Sequence, residues 1–333
     1  MSASYKCRLC ADCDGAACAG ELPGMGGVFD GKNFSLNVEG WKKIIPSIPQ
    51  EKLQEAAASI VPQKIRLAPI TGAEENVGWP DEESFYEPFY AFAAGLGIKL
   101  GVGDGCPDNK LKAGIAAVQA LNQEASLTKT AAAENCPQDQ KVAASNRAPA
   151  PAPETASTPK KAAVFLKPYP QEKLLERAEW AMPVAEYIGV DIDSYNIVTM
   201  RNKVHLEKKT AAQLNELRHA TKLPLVVKGV FTQESLDLIE ELKPEVAYIS
   251  NHGGRVETDI GSTAQFMLAN IARIKKSAAA VWVDGGLRSK EDIAAALALG
   301  AEEALLGRPI ISSFLESGAK GSQSAGQEKP FWL

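Results

Sequence analysis

The stretch AVWVDGGLRSKEDIAAALALGAEEALLGRP, residues 280–309, holds two short apolar runs joined by one longer segment. Each run has the length of a strand that is buried on both faces, and neither alternates strictly between apolar and polar residues. The segment between them, residues 289–300, has a serine at its start, acidic residues in its first turn and a glycine at its end. This arrangement is typical of a capped helix. The stretch therefore predicts a strand–helix–strand unit with parallel strands.

The same unit recurs along the chain from residue 64 onward. The short apolar runs number eight and lie at residues 64–71, 97–105, 162–168, 187–193, 223–229, 246–252, 280–286 and 303–309. Eight alternating units predict an α/β fold, a closed (β/α)8 TIM barrel over residues 64–318, with its chemistry at the carboxyl ends of the strands. Polar side chains fall at those ends: Thr71, Asp104, Lys167, Asp191, Asp193, Lys228, His252, Asp284 and Arg308.

Three segments fall outside this repeat. Residues 1–63 form a cysteine-rich leader followed by an N-terminal helical region, and residues 319–333 form a C-terminal tail. Residues 123–161 are rich in alanine, proline, serine and threonine and show no apolar period. Such a tract cannot bury enough surface to offset its ordering entropy, so we predict a disordered insertion between units two and three.

Composition and charge limit the classes of partner. The formal charge of the 333-residue chain is -5, which argues against a nucleic-acid or anionic-membrane surface. No apolar run approaches the length of a membrane helix, and the first residues lack the features of a secretory signal. The last residues are not a peroxisomal address. We therefore expect a cytoplasmic protein with no nucleic-acid and no membrane partner.

Two glycine-containing strand ends suggest a phosphate site. In VDGGLR (residues 283–288) and LLGRP (residues 305–309), glycines directly follow buried runs, so backbone N–H groups can approach an anion. Arg288 and Arg308 would add two guanidinium forks for a phosphate dianion. In barrels, the loops after strands seven and eight often form such a site. The alternative is that these glycines only make tight turns.

The strand ends at 228 and 252 carry titratable groups. Lys228 ends a very apolar run, so its ammonium should face a negative charge, either one that develops in a reaction or a partner in a buried salt bridge. In YISNHGGRVE (residues 248–257), His252 suits a general base, because the usual pKa of histidine lies near neutral pH. Arg255 suits a carboxylate, which it can bind bidentately. We expect His205 and His219 to be ordinary surface or helix residues.

Together these motifs resemble a known family. SNHGGR, VDGGLRSKEDIAAALALGA and LLGRP are similar to the signature of the FMN-dependent 2-hydroxy-acid oxidases and dehydrogenases, which include glycolate oxidase, lactate oxidase and flavocytochrome b2. LPLVVKGV resembles the strand that carries the family's flavin-side lysine, and APITGA (residues 68–73) resembles the segment along the flavin. The match is dense over residues 187–318 and looser at 64–108 and 162–170.

The resemblance implies oxidation of a small 2-hydroxy acid, similar to lactate or glycolate, to the 2-oxo acid, with FMN as cofactor. His252 would be the base, Asp191 would orient it and support its imidazolium form, and Lys228 would stabilise the reduced flavin at N1 and O2. Flavin N5 would accept the electrons, and Arg255 would bind the substrate carboxylate. The residues implied to contact FMN are Pro69, Ile70, Thr71, Gly72, Lys167, Lys228, Ser250, Asp284, Gly285, Gly286, Arg288, Gly307 and Arg308.

The chain also departs from the family pattern. The family's flavin-contacting glutamine on strand three is Lys167 here, and the N-terminal substrate tyrosine has no clear counterpart. Tyr169 and Arg201 are the candidates for a second substrate tyrosine and a second carboxylate-binding arginine. FMN binding is therefore better supported than any named substrate. Oxygen or a redox protein could accept the electrons, and family members are often tetramers, so a homo-oligomer is compatible with the resemblance.

Four cysteines crowd into CRLCADCDGAAC near the amino terminus. Cys7, Cys10, Cys13 and Cys18 have a spacing near that of iron–sulfur ligands and compatible with structural zinc. An iron–sulfur cluster could take electrons from reduced FMN, which would make the protein a dehydrogenase. The alternatives are structural zinc and free thiols.

Two rival functions remain open from the sequence. One is an FMN-dependent non-redox isomerase similar to type 2 isopentenyl diphosphate isomerase, although the His-Gly-Gly-Arg arrangement suits a carboxylate substrate better. The other is a non-catalytic protein that binds a phosphate ligand or senses a metal through its cysteines.

Overall fold

The computed structural model describes residues 32–77, 79–134, 159–197 and 204–319, and it shows a (β/α)8 barrel. The eight strands all pair in parallel in the order β1-β8-β7-β6-β5-β4-β3-β2. Isolated bridges from Arg66 to Lys99 and from Ile70 to Val102 join β1 to β2 and close the sheet. Six strands lie within the predicted runs, while β4 begins two residues before its run and β5 ends one residue after its run. Their bounds are β1 Ile65–Leu67, β2 Leu100–Gly103, β3 Ala162–Leu166, β4 Ala185–Asp191, β5 Leu225–Val230, β6 Val246–Ile249, β7 Ala280–Val283 and β8 Glu303–Leu306.

Helices surround the barrel, and the predicted caps are present where the sequence places them. The helix of the opening stretch has Ser289 as its N-cap in a capping box with Asp292 and ends at Gly300 in the left-handed region. The described helices are α1 Lys32–Ile44, α2 Gln50–Ala58, α3 Glu83–Gly95, α4 Asn109–Glu134, α5 Gln171–Ala181, α6 Ala211–Thr221, α7 Gln233–Leu242, α8 Thr263–Ile274, α9 Lys290–Leu299 and α10 Arg308–Ala319. Within the described part of the chain, no helix is both long enough and apolar enough to cross a bilayer.

One predicted boundary was wrong. The insertion was expected to start at residue 123, but α4 continues to Glu134. The residues at its end, EASLTKTAAAE, are mostly alanine, glutamate, lysine and leucine, which favour helix without needing an apolar stripe. Residues 135–158 lie outside the described residues. The expected helical region before the barrel is present as α1 and α2.

Helix α1 is attached to the carboxyl-terminal end of the barrel. Asn33, Asn37 and Trp41 follow one another at intervals of four residues, so they share one face of the helix. The amides of Asn37 and Asn251 are hydrogen-bonded to each other at 2.7 and 3.1 Å, and Trp41 Nε1 donates to the carbonyl of Gly285 at 2.7 Å. Helix α1 therefore holds the loops that follow β6 and β7.

Candidate active site

A cavity opens at the carboxyl-terminal end of the barrel, where the sequence predicted the chemistry. It is lined by residues of β5 and β8 and by residues that follow β1, β6, β7 and β8. They are Ala68, Pro69, Ile70, Lys228, His252, Gly253, Arg255, Asp284, Gly285, Gly286, Leu287, Arg288, Leu305, Gly307 and Arg308. Eleven of these are predicted site residues, so the structure brings together most of the site residues predicted in the barrel.

The other predicted residues lie elsewhere. Ser250 and Lys167 are buried and are not among the lining residues, and the N–H of Gly72 donates to Glu82 at 3.0 Å. Tyr169 is 1% exposed and its ring lies 4.3 Å from the Arg177 guanidinium, away from the cavity lining. Thr71 and Asp191 lie next to lining residues without lining the cavity themselves. The last predicted residues lie outside the described residues: Arg201, Cys7, Cys10, Cys13 and Cys18.

The turn that carries His252 has an unusual backbone. His252, Gly253 and Gly254 form a single turn with φ values of 55, 64 and 91°. A histidine at positive φ is uncommon, and such strain persists only where neighbours hold the backbone in place. Here the Asn251 side chain accepts from the Gly254 N–H at 3.0 Å, while Asn251 is itself bonded to Asn37 of α1. The imidazole is thus presented by a firmly held turn.

Two carboxylates and one ammonium contact the His252 ring. Nδ1 lies 2.9 Å from the carboxylate of Asp193, and Nε2 lies 3.2 Å from Asp191 Oδ2 and 3.1 Å from Lys228 Nζ. With the proton on Nδ1 donated to Asp193, Nε2 can accept a hydrogen bond from Lys228 and is available as a base. Once Nε2 is protonated, Asp191 is within reach to accept its hydrogen bond. Sequence reasoning gave Asp193 no role beyond its position at the end of β4.

Asp191 lies at the centre of the buried charges. Its carboxylate contacts Lys167 Nζ at 2.6 Å and Lys228 Nζ at 3.0 Å. Burial alone would raise the pKa of Asp191, but these two ammonium groups and His252 outweigh it and hold the pKa well below the usual range. Asp191 therefore stays ionised. Lys167, predicted to lie along a flavin ring, is bound to this carboxylate.

Asp284 shows the opposite behaviour. Burial raises the pKa of its carboxyl, although Lys228 and the hydroxyl of Tyr248, which donates to Oδ2 at 2.7 Å, act against this. Among the lining residues, Asp284 is the one acidic side chain, and four are cationic: Lys228, Arg255, Arg288 and Arg308. The cavity therefore has a positive excess, which suits an anionic ligand.

The lining fits a flavin nucleotide. Ala68, Ile70 and Leu305 give an apolar wall for a ring system, and Arg288 and Arg308 supply guanidinium groups for a phosphate. A Cβ built on Gly307 would find only Ala68 at 3.7 Å and Ile70 at 3.8 Å, both of which line the cavity. A side chain at 307 would thus project into the cavity, so glycine keeps the wall open to a ligand.

Gly286 has a different explanation. Its φ is +78°, and a Cβ there would lie 2.0 Å from the backbone oxygen of Asn37. Gly285 is restricted in the same way by Thr263, 2.7 Å from its Cβ position. These two glycines allow the loop after β7 to pack under α1. This packing explains why positions 285 and 286 are glycines, whether or not they also contact a phosphate.

The chain is similar to a family of flavin enzymes. The family model described as FMN-dependent dehydrogenase matches residues 114–328, which is more than half of the chain. A peroxisomal (S)-2-hydroxyacid oxidase of Arabidopsis thaliana is 37% identical over 105 residues, 32% of this chain and 29% of that protein. An L-lactate oxidase of Roseobacter sp. is 34% identical over 113 residues, 34% of this chain and 30% of that protein. The alignments thus span less than a third of these relatives.

Solved structures share the fold. A mandelate oxidase with a C4a-OH-FMN adduct superposes with a TM-score of 0.57 at 15% identity, covering 91% of this chain and 89% of that one. A flavocytochrome b2 with pyruvate bound superposes with a TM-score of 0.52 at 18% identity, covering 76% of this chain and 59% of that one. At these identities the likeness concerns the architecture of the barrel.

Proposed function

The chain belongs to the FMN-dependent dehydrogenase family, and from this premise we propose that it binds FMN in the cavity and oxidises a small 2-hydroxy acid to the 2-oxo acid. The observation that carries the proposal is the placement of His252. Its ring lies on the cavity wall between two carboxylates, with the cations of Lys228 and Arg255 on the same wall. The names of the 2-hydroxyacid oxidase and lactate oxidase relatives support the same substrate class.

The protein's own residues would bind, orient and deprotonate the substrate. Arg255, whose Nη1 donates to the His252 carbonyl at 3.2 Å, would hold the carboxylate beside the imidazole. His252 would accept a substrate proton at Nε2, where Asp191 stabilises the resulting imidazolium. When bound, FMN would supply the two-electron oxidant. Lys228, which lines the same cavity, would stabilise negative charge on the reduced ring.

An absorption spectrum of the purified full-length protein tests this function. We expect a flavin spectrum, as purified or after addition of FMN, that is bleached by lactate or glycolate in the absence of oxygen. A colourless protein that takes up no FMN would contradict the proposal. Flavin that no 2-hydroxy acid reduces would point instead to the isomerase or the non-catalytic alternative. Reoxidation by air would identify oxygen as an acceptor.

We expect Arg288→Gln to weaken FMN binding by roughly 10- to 100-fold, because a hydrogen bond to a charged group contributes about 1.5–3 kcal/mol. Fluorescence quenching of added FMN measures the Kd. The matched control is Arg273→Gln, on α8, whose guanidinium pairs with Asp237 and Glu240 on the outer surface. Equal affinity of Arg288→Gln and the unmodified protein would exclude Arg288 from the phosphate site.

We also propose that the four leader cysteines, Cys7, Cys10, Cys13 and Cys18, bind an iron–sulfur cluster or zinc. Their spacing supports this. Helix α1 begins near the cavity, since the ring of Phe34 lies 4.4 Å from the Arg308 guanidinium, so the leader joins the described chain beside the site. Among the residues that the structure describes, no group of three potential ligands could hold a metal.

Elemental analysis of anaerobically purified protein is expected to find iron or zinc. A Cys7→Ser/Cys10→Ser double variant should lose the metal, because each proposed site needs four ligands. Cys106→Ser is the control, since Cys106 lies in the described barrel, outside the leader, and packs beside Ile197 and Val256. Protein that contains neither metal would remove this part of the proposal.

A further inference from the structure

Resting on the proposed role of His252 as base, we infer that Asp193 is the positioning residue for its imidazole and that Gly229 leaves the space that the Asp193 carboxylate occupies. Asp191 was the carboxylate expected to orient the ring. The structure instead places Asp191 at Nε2, where the proton would be accepted, and Asp193 at Nδ1, 2.9 Å away. A donor–acceptor contact at Nδ1 fixes both the direction of the ring and the tautomer in which Nε2 carries no proton.

Backbone contacts fix the position of Asp193. The N–H of Ile192 donates to the carbonyl of Lys228 at 2.9 Å, which extends the pairing of β4 with β5 beyond the end of β4. The hydroxyl of Ser194, which is fully buried, donates to the carbonyl of Asp191 at 2.9 Å and closes the turn. Asp193 lies between these two anchors, so its side chain is directed across β5 toward His252.

Gly229 makes this arrangement possible. The pairing of β5 with β6 is irregular between Lys228 and Val230, and Gly229 at that point has a φ of +101°. A Cβ built on Gly229 would lie 2.4 Å from Asp193 Oδ1 and 2.5 Å from its Cγ. Any side chain at 229 would therefore displace the carboxylate. Lys228, the residue before this irregularity, is the register partner of Asp191 on β4 and contacts its carboxylate at 3.0 Å.

The surrounding charges separate the roles of the two carboxylates. Asp191 is shared among Lys167, Lys228 and His252, whereas the contact of the Asp193 carboxylate is with the His252 ring. The other charged groups near His252 are Lys228 from β5, Arg255, which donates to the His252 carbonyl, and Asp284 directly after β7. None of these three contacts Nδ1 in the geometry described. Asp193 is thus the group that defines the Nδ1 side of the ring.

Proton NMR of the full-length protein tests the inference without flavin or turnover. An imidazole N–H that donates to a carboxylate gives a slowly exchanging, far-downfield resonance, which His252→Gln would assign by its loss. We expect Asp193→Ala to abolish this resonance and Asp193→Asn to move it upfield. Asp259→Ala, an exposed carboxylate in the loop that follows His252, is the matched control and should leave it unchanged. An unchanged resonance in Asp193→Ala would overturn the inference.

Gly229→Ala gives an independent test through thermal unfolding. We expect this change to abolish the same resonance and to lower the Tm. In the Asp193→Ala background the two nearest atoms, Oδ1 and Cγ, are absent and only the Cβ at 3.1 Å remains. Gly229→Ala should therefore lower the Tm by less there, although the cost of its positive φ persists. An equal fall in Tm in both backgrounds would show that the glycine at 229 is not needed to make room for the Asp193 carboxylate.

The kinetic consequence belongs to the proposed function and is measured separately. If the protein is reduced by a 2-hydroxy acid, Asp193→Ala should lower the rate of reduction by about 10²-fold, because a misplaced base loses its alignment, with FMN affinity unchanged. A protein that binds no flavin would end the proposed function, yet the resonance and Tm tests of Asp193 and Gly229 would still decide this inference.

Discussion

Replacing His252 by glutamine is expected to slow reduction of bound flavin by a 2-hydroxy acid by about 10²–10⁴-fold, the usual contribution of a positioned general base. Glutamine keeps a polar side chain of similar reach but cannot accept a substrate proton at neutral pH. Lys228 Nζ, 3.1 Å from His252 Nε2, and Asp191, 3.2 Å from it, would remain in place. Stopped-flow absorbance under anaerobic conditions measures the rate.

We expect His252→Gln to slow only the chemical step, the reduction of bound flavin by the substrate. FMN should stay bound, since His252 is one part of the lining and the proposed phosphate groups are those of Arg288 and Arg308. His219→Gln is the matched control, because His219 is an exposed residue of α6 whose Nδ1 lies 2.6 Å from the Asn215 carbonyl. Reduction at an unchanged rate in His252→Gln would exclude His252 as the base and leave the cavity without an assigned one.

The fold could be predicted from the sequence because local patterns specify each strand–helix unit. The capping serine, the acids of the first turn and the final glycine of residues 289–300 lie within twelve positions, and the structure has α9 within those positions. Closure of the barrel follows from the number of units. The end of α4 was missed because helix propensity without an apolar stripe gives no periodic signal.

The part of the candidate site that lies at the strand ends could be predicted from the sequence. Lys228, His252 and Arg308 meet there because parallel strands bring their carboxyl ends to one face. The roles of Asp193 and Asn37 depend on contacts between distant segments, such as the 2.7 Å bond from Asn37 to Asn251. No spacing rule encodes these contacts. The one available signal was a second carboxylate two residues after Asp191.

The opposite end of the barrel holds another feature that the sequence did not reveal. Arg66 of β1 is fully buried, with Nε 2.6 Å from Glu303 Oε2 and Nη1 2.7 Å from Glu186 Oε1 and 2.8 Å from the Leu100 carbonyl. Its guanidinium lies 4.5 Å from the Trp282 ring centroid. It therefore satisfies buried acceptors inside the barrel, away from the cavity.

We expect Arg66→Met to lower the free energy of unfolding by about 3–5 kcal/mol, because it leaves Glu303 as a buried carboxylate that has lost its main partner. Lys99 also contacts Glu303, but its side chain is 39% exposed, so it can offset only part of this cost.

In an Arg66→Met/Glu303→Leu double variant most of the lost stability should be recovered, since an apolar pair leaves no unpaired charge. Arg273→Met, which removes a surface ion pair, should have a far smaller effect. Denaturant unfolding followed by circular dichroism measures all three. Equal stability of Arg66→Met and the unmodified protein would show that the buried pair is not part of what holds the barrel closed.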